Sequence, residues 1–228
     1  DQIDKKLKKV EKAFKIGDKS LKPAFDSLTK FKAQLEELKN VRDLEWDKND
    51  EEVIQELCLL TAKPVMYICN VDESSAVEGN DYAKAFITAV EKEETETLII
   101  AGKSEAEISE LEDENDRVEF LSDLGLTEPG VHRMTRSAYK MLNLVSFFTV
   151  GGKENRAWSI RKGLNAQEAS GTIHSDLERG FIRAEVISYD DMIELKSEAA
   201  CKEKGKMRLE GKTYIVQDGD ILHVRFNV

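Results

Sequence analysis

The sequence holds only three cysteines, three histidines and three prolines among 228 residues, and these shortages exclude several classes of protein. The cysteines, Cys58, Cys69 and Cys201, lie far apart and are odd in number. We therefore expect buried free thiols in a reducing compartment and no disulfide framework. The histidines are equally dispersed, and none of them lies near a cysteine at the spacing that a zinc site needs. Neither a zinc site nor a thiol enzyme is predicted.

Long hydrophobic runs are also missing. The best run, residues 141–150, is interrupted by Asn143, Ser146 and Thr149, and it is much shorter than the ~20 residues of a membrane-spanning helix. The N-terminal segment is rich in lysine and has no apolar region of the kind that a signal peptide carries. Together with a charged fraction of 35%, these features predict a cytoplasmic protein that does not enter a membrane.

Negative charge predominates, but it is unevenly distributed. The net charge is −11, yet residues 1–40 carry eleven lysines against seven acidic residues, a net of +4. Residues 41–140 carry ten basic residues against twenty-five acidic ones, a net of −15. A basic segment in an acidic chain can bind polyanions, and it can equally be the solvated face of a lysine-rich helix. Composition alone leaves both interpretations open.

The first forty residues have the apolar spacing of two helices. Large apolar side chains recur every three or four residues on both sides of a breaker at residues 17–20. Two such stripes joined by a short turn predict an antiparallel helical hairpin with a coiled-coil-like seam. Lys15, Lys19 and Lys22 cluster around its tip. The stripes consist of Ile3, Leu7, Val10 and Phe14, then Leu21, Phe25, Leu28, Phe31, Leu35 and Leu38.

Residues 41–140 have the pattern of an α/β fold. The β-prone apolar run 65–69 predicts a strand buried on both faces, and residues 97–100 predict a second strand. Strand–helix–strand–helix is half of a doubly wound sheet. Because two strands cannot form such a sheet alone, either further strands precede them in the native chain or the pair borrows partners from elsewhere. Helices are predicted at residues 50–60, 82–90, 106–124 and 131–144.

Residues 145–228 predict a small α+β module. Its expected strands are short and are separated by turn residues such as Gly211-Lys212 and Asp218-Gly219-Asp220. One helix is expected at Ala169–Arg179, ending at Gly180. This order suits a β-grasp, or ubiquitin-like, fold. The strands are predicted at residues 146–150, 156–160, 182–187, 213–216 and 221–226.

Gly102-Lys103-Ser104 lies between a predicted strand and a predicted helix, where nucleotide-binding proteins carry a phosphate loop. That loop also needs a glycine five positions before Gly102, so that backbone N–H groups can surround the phosphates. Position 97 is Thr, inside the second predicted strand. We therefore do not expect a phosphate loop here.

A different motif, Asn70-Val71-Asp72-Glu73, follows the first predicted strand. Ligands of open α/β sheets bind at the carboxyl ends of strands, so a nucleotide base could bind at this turn. GTPases have Asn-Lys-x-Asp at such a turn, and the aspartate accepts hydrogen bonds from guanine. Here the lysine is replaced by Val71 and the aspartate is lengthened to Glu73, which weakens guanine selectivity and permits adenine. As an isolated tetrapeptide, the motif also fits an ordinary strand-to-helix turn.

Longer stretches of sequence around this motif carry a family resemblance. They include residues 63–73 (KPVMYICNVDE), 128–130 (EPG), 171–176 (GTIHSD), 179–185 (RGFIRAE) and the terminal 225–228 (RFNV). In this order, and over essentially the whole chain, they resemble the YchF / Obg-like ATPase family. The sequence departs from the family pattern at Gly102-Lys103, where small residues are usual, and at Gln167, where proline is usual.

The resemblance implies a P-loop ATPase related to Obg GTPases, with a helical-hairpin insertion and a C-terminal TGS domain of β-grasp fold. The hairpin would occupy residues 1–57, the C-terminal part of the nucleotide-binding domain residues 58–144, and the TGS domain residues 145–228. Such proteins bind ATP with Mg²⁺, often GTP less well, and associate with ribosomes. We expect a monomer.

Five residues fall on the base-recognition elements of that family. Asn70, Val71 and Glu73 match its base-recognition motif, and Ala101 and Gly102 match its second base contact, which is made largely through the backbone. The Walker A loop, the switch segments and the Mg²⁺ ligands of the family do not occur in these 228 residues. The chain therefore resembles the C-terminal part of such an ATPase, with no catalytic residue of its own, and we expect no hydrolysis by it alone.

A second interpretation is an RNA- or ribosome-binding adaptor whose nucleotide site is vestigial. The lysines of the hairpin tip favour it. His174, Arg179 and Arg183 could also bind phosphate, and Phe181 could stack on a base. Phe181 could equally lie in the core of a sheet, and His174 could be a hydrogen-bonded turn residue. A Walker A motif upstream in the parent gene would distinguish the ATPase from the adaptor.

Overall fold

The computed structural model describes residues 1–93, 95–150 and 154–227, and the chain divides into two compact units, Asp1–Ile100 and Ala101–Val228. Each unit mixes helices with a β-sheet. Among the described residues, none of the helices combines the length and the hydropathy that crossing a bilayer requires.

The first unit opens with the two helices expected in residues 1–40, α1 (Gln2–Ile16) and α2 (Lys22–Glu36). α1 ends where Gly17 adopts a left-handed conformation with φ 117°, which costs glycine little because it has no Cβ. Next to this turn, the rings of Phe14 and Phe25 stack with their centroids 5.7 Å apart. The apolar stripes of both helices enter one core, but Leu38, predicted as the last member of the second stripe, lies beyond the end of α2 and is 96% exposed. The buried members of this core are Ile3, Val10, Leu28, Phe31, Val41, Val53, Leu59 and Ala62.

A third helix, α3 (Lys48–Leu57), packs against this pair. Residues 50–60 were expected to be helical, and the helix begins and ends earlier than that because of its caps. Asp47 and Asp50 form a reciprocal capping box at the start, in which the Asp50 N–H donates to Oδ1 of Asp47 (2.9 Å). At the other end, Cys58 adopts a left-handed conformation and stops the helix.

The first unit also contains two parallel strands, β1 (Tyr67–Asn70) and β2 (Thr97–Ile100), connected through helix α4 (Asp81–Val90). The prediction of two strands with a helix between them is confirmed. The prediction that β1 is buried on both faces is wrong, because Ile68 is 45% exposed. α4 packs against the face that carries Tyr67, where the ring of Phe86 meets the tyrosine edge-on at 5.1 Å.

The second unit begins with α5 (Gly102–Ser109), α6 (Glu114–Asp123) and α7 (Gly130–Met141). The single helix predicted at residues 106–124 is wrong, because the chain breaks between α5 and α6. Asp113 starts α6 anew by accepting a hydrogen bond from the Asn115 N–H (2.7 Å). Arg117 stabilises the segment between the two helices, because its Nε donates a hydrogen bond to the Leu111 carbonyl (2.8 Å).

The rest of this unit is a five-stranded sheet in the order β4-β3-β7-β5-β6. Neighbouring strands are antiparallel except β3 and β7, which are parallel. The strands are β3 (Leu144–Thr149), β4 (Arg156–Arg161), β5 (Phe181–Ile187), β6 (Arg208–Glu210) and β7 (Ile221–Phe226). One face of the sheet forms the main core of the unit together with α8 (Ala166–Ile173), whose Ala166 and Ala169 are fully buried.

Three further sequence-based expectations for this unit need correction. The strand predicted at residues 213–216 is absent, and Ile215 makes only an isolated bridge with Asn165. The helix predicted at Ala169–Arg179 is two helices, α8 and α9 (Ser175–Arg179), because extended His174 separates them. Strand β6 and the helices α10 (Tyr189–Leu195) and α11 (Glu198–Glu203), which cover part of the second face of the sheet, were not predicted.

Candidate nucleotide-base site and polyanion contacts

The first candidate site lies at the carboxyl ends of the two parallel strands. Asn70 and Ile100 are the last residue pair of the β1–β2 register. The ladder continues one residue further, because the Val71 N–H donates to the Ile100 carbonyl at 3.0 Å. Asn70 is exposed and Val71 is half-buried, so the motif Asn70–Glu73 leaves the sheet at its open edge.

The two acidic residues of this motif differ in their surroundings. The Asp72 carboxylate accepts a hydrogen bond from Ser74 Oγ at 3.0 Å, and hydrogen bonds from Ser75 and Ser74 hold the pKa of Asp72 below its ordinary value. Glu73 begins a single 3₁₀ turn, Glu73–Ser75, and its side chain is exposed. It makes no hydrogen bond or ion pair with any residue in the described part of the chain. Glu73 is therefore the carboxylate that can accept hydrogen bonds from a ligand.

Gly79 closes the loop that carries the motif, a role that the sequence did not reveal. Its N–H donates to the Ser75 carbonyl at 2.8 Å, and its φ of 75° is left-handed. A Cβ at this position would lie 3.0 Å from Cδ1 of Ile99 in β2 and 3.1 Å from the side chain of Ala83. Glycine thus lets the loop pack directly on the neighbouring strand.

The second predicted base contact follows β2 in the chain. Ala101 is 1% exposed and forms the N-cap of α5, and Gly102 is the first helical residue. The adjacent Lys103 is 90% exposed, and its ammonium lies 3.9 Å from the Glu107 carboxylate. Thr97, where a phosphate loop needs glycine, is paired with Tyr67 in the strand ladder. This geometry agrees with the absence of a phosphate loop at Gly102-Lys103-Ser104.

Glu105, in the first turn of α5, is an acidic residue with a largely buried side chain that sequence reasoning did not single out. Its side chain is only 9% exposed, and it accepts a hydrogen bond from the N–H of Gly130, the first residue of α7. The Arg133 guanidinium lies 3.7 Å from its other oxygen. A carboxylate at a helix N-terminus is favourable because the free N–H groups there carry partial positive charge. Glu105 thus fastens the start of α5 to the start of α7.

The lysines predicted at the hairpin tip have different surroundings. Lys15 is bound by Glu11, one turn earlier in α1, with 2.5 Å between the ammonium and the carboxylate. Lys19 and Lys22 are exposed, and neither has an ion-pair partner among the residues that the structure describes.

The candidate RNA-contact residues of the second unit differ in how exposed their side chains are. His174 caps α9 through Nδ1, which accepts from the Asp176 N–H at 3.1 Å, so Nε2 is the nitrogen that could donate to a phosphate. Arg179 is 72% exposed and is bound by Asp176. The prediction that Phe181 stacks on a base is wrong, because its ring is 3% exposed and belongs to the core of the sheet.

Arg183 lies on the opposite, partly open face of the sheet, together with Arg225 and His223, which the sequence did not place there. It pairs in register with Arg225 of β7, and the next pair on this face is Glu185 with His223. Arg225 donates to the Glu185 carboxylate at 3.0 Å, and this hydrogen bond lowers the pKa of Glu185 despite partial burial. The alternation of apolar and polar residues along β7 was visible in the sequence, but the register that pairs Arg183 with Arg225 was not.

Comparisons with known proteins find relatives in the same family that the ordered sequence motifs resemble. Residues 144–227 match the family described as "YchF-GTPase_C: Protein of unknown function (DUF933)". Over 228 residues, the whole chain is 46% identical to the ribosome-binding ATPase YchF of Haemophilus ducreyi. It is 40% identical over 230 residues to the protein of the same name from Bacillus subtilis. It is 39% identical over 228 residues, 99% of this chain, to Obg-like ATPase 1 of Caenorhabditis elegans. The chain spans 62%, 63% and 58% of these three proteins, respectively.

The structural comparison gives the same result. The solved structure of the Schizosaccharomyces pombe YchF GTPase matches with a TM-score of 0.85 and 30% sequence identity, over 98% of this chain and 61% of that chain. The similarity therefore extends over both units. Over its whole length the chain is thus similar to YchF / Obg-like ATPases, and it spans about three fifths of their length.

Proposed function

We propose that this chain supplies the base-recognition residues of a ribosome-associated ATPase, together with surfaces that contact ribosomal RNA. The observation that carries the nucleotide part is the parallel register of β1 and β2, which end together at Asn70 and Ile100. The segments that leave these two strand ends are Val71–Glu73 and Ala101–Gly102. In open α/β sheets this edge is where ligands bind.

Glu73 determines the choice of base in this proposal. Its carboxylate is exposed and has no partner in the described part of the chain, whereas Asp72 is held by serine hydroxyls. A carboxylate accepts hydrogen bonds, and adenine offers a donor at its N6 amino group. Asn70 and Val71 hold the edge of the base, and the backbone of Ala101 and Gly102 provides the second contact. ATP is the expected nucleotide, with GTP bound less well.

The triphosphate and its Mg²⁺ are not assigned to residues of this chain. The described residues contain no group of three or more His, Cys, Asp or Glu side chains that could hold a metal ion. Lys103 extends into solvent beside Glu107, and Thr97 occupies the strand position where a phosphate loop needs glycine. In the intact protein, ATP hydrolysis would therefore depend on residues other than these.

The domain organisation is part of the same proposal. The packed pair α1 and α2 supports a helical hairpin in residues 1–57, and the parallel strands support a partial P-loop domain in residues 58–144. The sheet order β4-β3-β7-β5-β6, with α8 packed on one face, supports a β-grasp (TGS) domain in residues 145–228. The proposed partner is the ribosome, because the bacterial relatives are named ribosome-binding ATPases. The contact candidates are Lys15, Lys19, Lys22, His174, Arg179 and Arg183.

The test of the base site is the substitution Glu73→Asp in the intact protein. The shorter carboxylate restores the side chain that GTPases use. The affinity for GTP relative to that for ATP should therefore rise on the order of tenfold, which is the discrimination that one good hydrogen-bonded contact to a base edge provides. Competition binding with both nucleotides measures this ratio. Glu78→Asp is the matched control, because Glu78 is another exposed acidic residue of the same loop. An unchanged ratio in Glu73→Asp would remove Glu73 from the site.

A further inference from the structure

The outer face of α1 carries a row of lysines that have no partners in the described part of the chain. Lys5, Lys8, Lys9 and Lys12 are all exposed, and none of their side chains makes an ion pair or a hydrogen bond with a residue in the described ranges. Other lysines of the hairpin are bound by acids: Lys32 lies 2.7 Å from Asp4, and Lys6 is bound by Glu56. We refer to Lys5, Lys8, Lys9 and Lys12 as the lysine row.

The lysine row is directly opposite the buried side of the helix. With ~3.6 residues per turn, the four lysines fall within an arc of about 100°, and the apolar stripe that enters the core is centred about 180° away. At ~1.5 Å per residue, the row is about 10 Å long from Lys5 to Lys12. The lysines therefore form one compact cationic strip on the solvent side of α1.

Folding gains nothing from this arrangement. The four lysines form four like-charge pairs at spacings of three and four residues, and each such pair destabilises a helix. The acidic residues within α1 do not relieve the repulsion, because Asp4 is bound by Lys32 and Glu11 by Lys15. A strip of uncompensated positive charge is suited to a polyanion that approaches from solvent.

We propose that the lysine row binds the phosphate backbone of RNA, an inference that rests on the proposed ribosome association and identifies its main contact. Lysine is a compact point charge that binds phosphate without reading sequence. Duplex nucleic acid presents one negative charge per ~1.7 Å of its axis, so a strip about 10 Å long faces several phosphates.

An anionic membrane fits this strip less well than RNA. Helices that lie in a membrane interface flank their lysines with apolar side chains that enter the bilayer. On α1, Ile3 and Val10 are buried in the hairpin core, and exposed Ile16 lies beyond the row at the tip. The structure thus favours an aqueous polyanion over a lipid surface.

The experiment compares three variants of the chain that each remove three positive charges. The first changes Lys5, Lys9 and Lys12 of the row to Gln. The second changes the tip lysines Lys15, Lys19 and Lys22 to Gln. The control changes three lysines that acids already bind, Lys6, Lys32 and Lys39, to Gln. Co-sedimentation with ribosomes and fluorescence anisotropy with an RNA duplex are measured across a salt series.

We expect the row variant to bind more weakly than wild type. The slope of log affinity against log salt concentration should become shallower by about 2–3 units, since each lost phosphate contact removes about 0.7–0.9 from the slope. The tip variant should lose less, because Lys15 is already bound by Glu11, and the control should bind like wild type. The melting temperature of the row variant should stay the same or rise, since the substitutions relieve like-charge repulsion. A weakened row variant that still melts normally would exclude misfolding.

The other outcomes separate the two proposals. If the row variant binds like wild type while the tip variant weakens, the lysine row is not the contact, although ribosome association stands. If row and control variants weaken equally, net charge and not the row determines binding, and the inference is overturned. If the wild-type chain binds neither ribosomes nor RNA, the proposed ribosome association itself fails for this chain. Binding to vesicles of phosphatidylcholine and phosphatidylserine without RNA binding would contradict both proposals.

Discussion

Gly130 stands at the start of α7 with no room for a side chain. A Cβ there would lie 2.7 Å and 2.8 Å from the two carboxylate oxygens of Glu105, whose side chain is largely buried. The glycine lets its N–H reach this carboxylate, so one missing methyl group permits the contact between α5 and α7. The importance of Gly130 lies in close approach, since its backbone is helical.

We expect Gly130→Ala to destabilise the second unit by about 1–3 kcal/mol, the usual cost of overpacking a filled site. Gly211→Ala is the matched control, because a Cβ at Gly211 meets nothing within 4 Å. Denaturation followed by the fluorescence of Trp158, in a background with Trp46→Phe, reports on this unit alone. Shortening the opposing side chain with Glu105→Ala should remove most of the stability difference that Gly130→Ala causes. Equal stability of Gly130→Ala and Gly211→Ala would contradict the steric argument.

For single residues, the sequence predicted which ones lie at the strand end better than it predicted what surrounds their side chains. The Asn70–Glu73 motif lies at the end of a strand as expected, but only the structure distinguishes the Glu73 side chain, which has no partner in the described chain, from Asp72, which Ser74 holds. The core position of Phe181 was one of two interpretations, and the sequence could not decide because the answer depends on which face of β5 packs inward.

Asp50 is a buried acidic residue whose ionisation makes the stability of the helical elements depend on pH. Burial opposes its ionisation, but hydrogen bonds from Lys30, from Ser27 and from the Asp47 N–H outweigh burial and hold the pKa of Asp50 below its ordinary value. The Lys30 ammonium lies 2.8 Å from its carboxylate and thereby joins α2 to α3. A carboxyl whose pKa is lowered in the folded state stabilises the fold above its unfolded pKa, and this contribution is lost as pH falls below about 4.

We therefore expect Asp50→Asn to lower the free energy of unfolding at neutral pH by about 1–3 kcal/mol. Between pH 7 and pH 3 the variant should lose less stability than wild type, because the group that protonates on acidification is gone. Urea denaturation followed by Trp46 fluorescence, in a Trp158→Phe background, measures this difference at each pH. Asp43→Asn, an exposed acid nearby, serves as the control. Parallel pH profiles of wild type and Asp50→Asn would show that Asp50 does not supply the effect.

Elements defined by strong periodicity were predictable, and their interruptions were not. β2 and β7 have the predicted bounds, and α1 and α2 follow the apolar stripes. The breaks before α6 and α9 come from single capping residues, Asp113 and His174, whose neighbours are all compatible with helix. Strand β6 is three residues long, and its Leu209 is 63% exposed. Such an edge strand is defined by its pairing with β5, which lies far from it in the sequence.

For the molecule as a whole, the chain should bind partners but release no phosphate from ATP. The strongest candidate for a phosphate-binding lysine, Lys103, is 90% exposed, and no phosphate loop surrounds it. Phosphoryl transfer depends on the backbone amides and the lysine of a phosphate loop and on Mg²⁺. Contacts to the nucleotide base alone therefore do not accelerate ATP hydrolysis. A phosphate-release assay on residues 1–228 with ATP and Mg²⁺ should match the buffer control. Turnover that disappears in Lys103→Ala would overturn this expectation.

The position of β7 in the sheet has a consequence for how the second unit is made. β7 follows the other four strands in the sequence, yet it is the central strand, between β3 and β5. Its partner β3 lies more than seventy residues earlier, so the contact order of the sheet is high and loop closure must precede its formation. A nascent chain cannot complete this sheet until residues 221–226 have emerged from the ribosome. Folding of the unit therefore waits for the synthesis of this segment, and a chain stalled before residue 221 exposes the edges of β3 and β5 to aggregation.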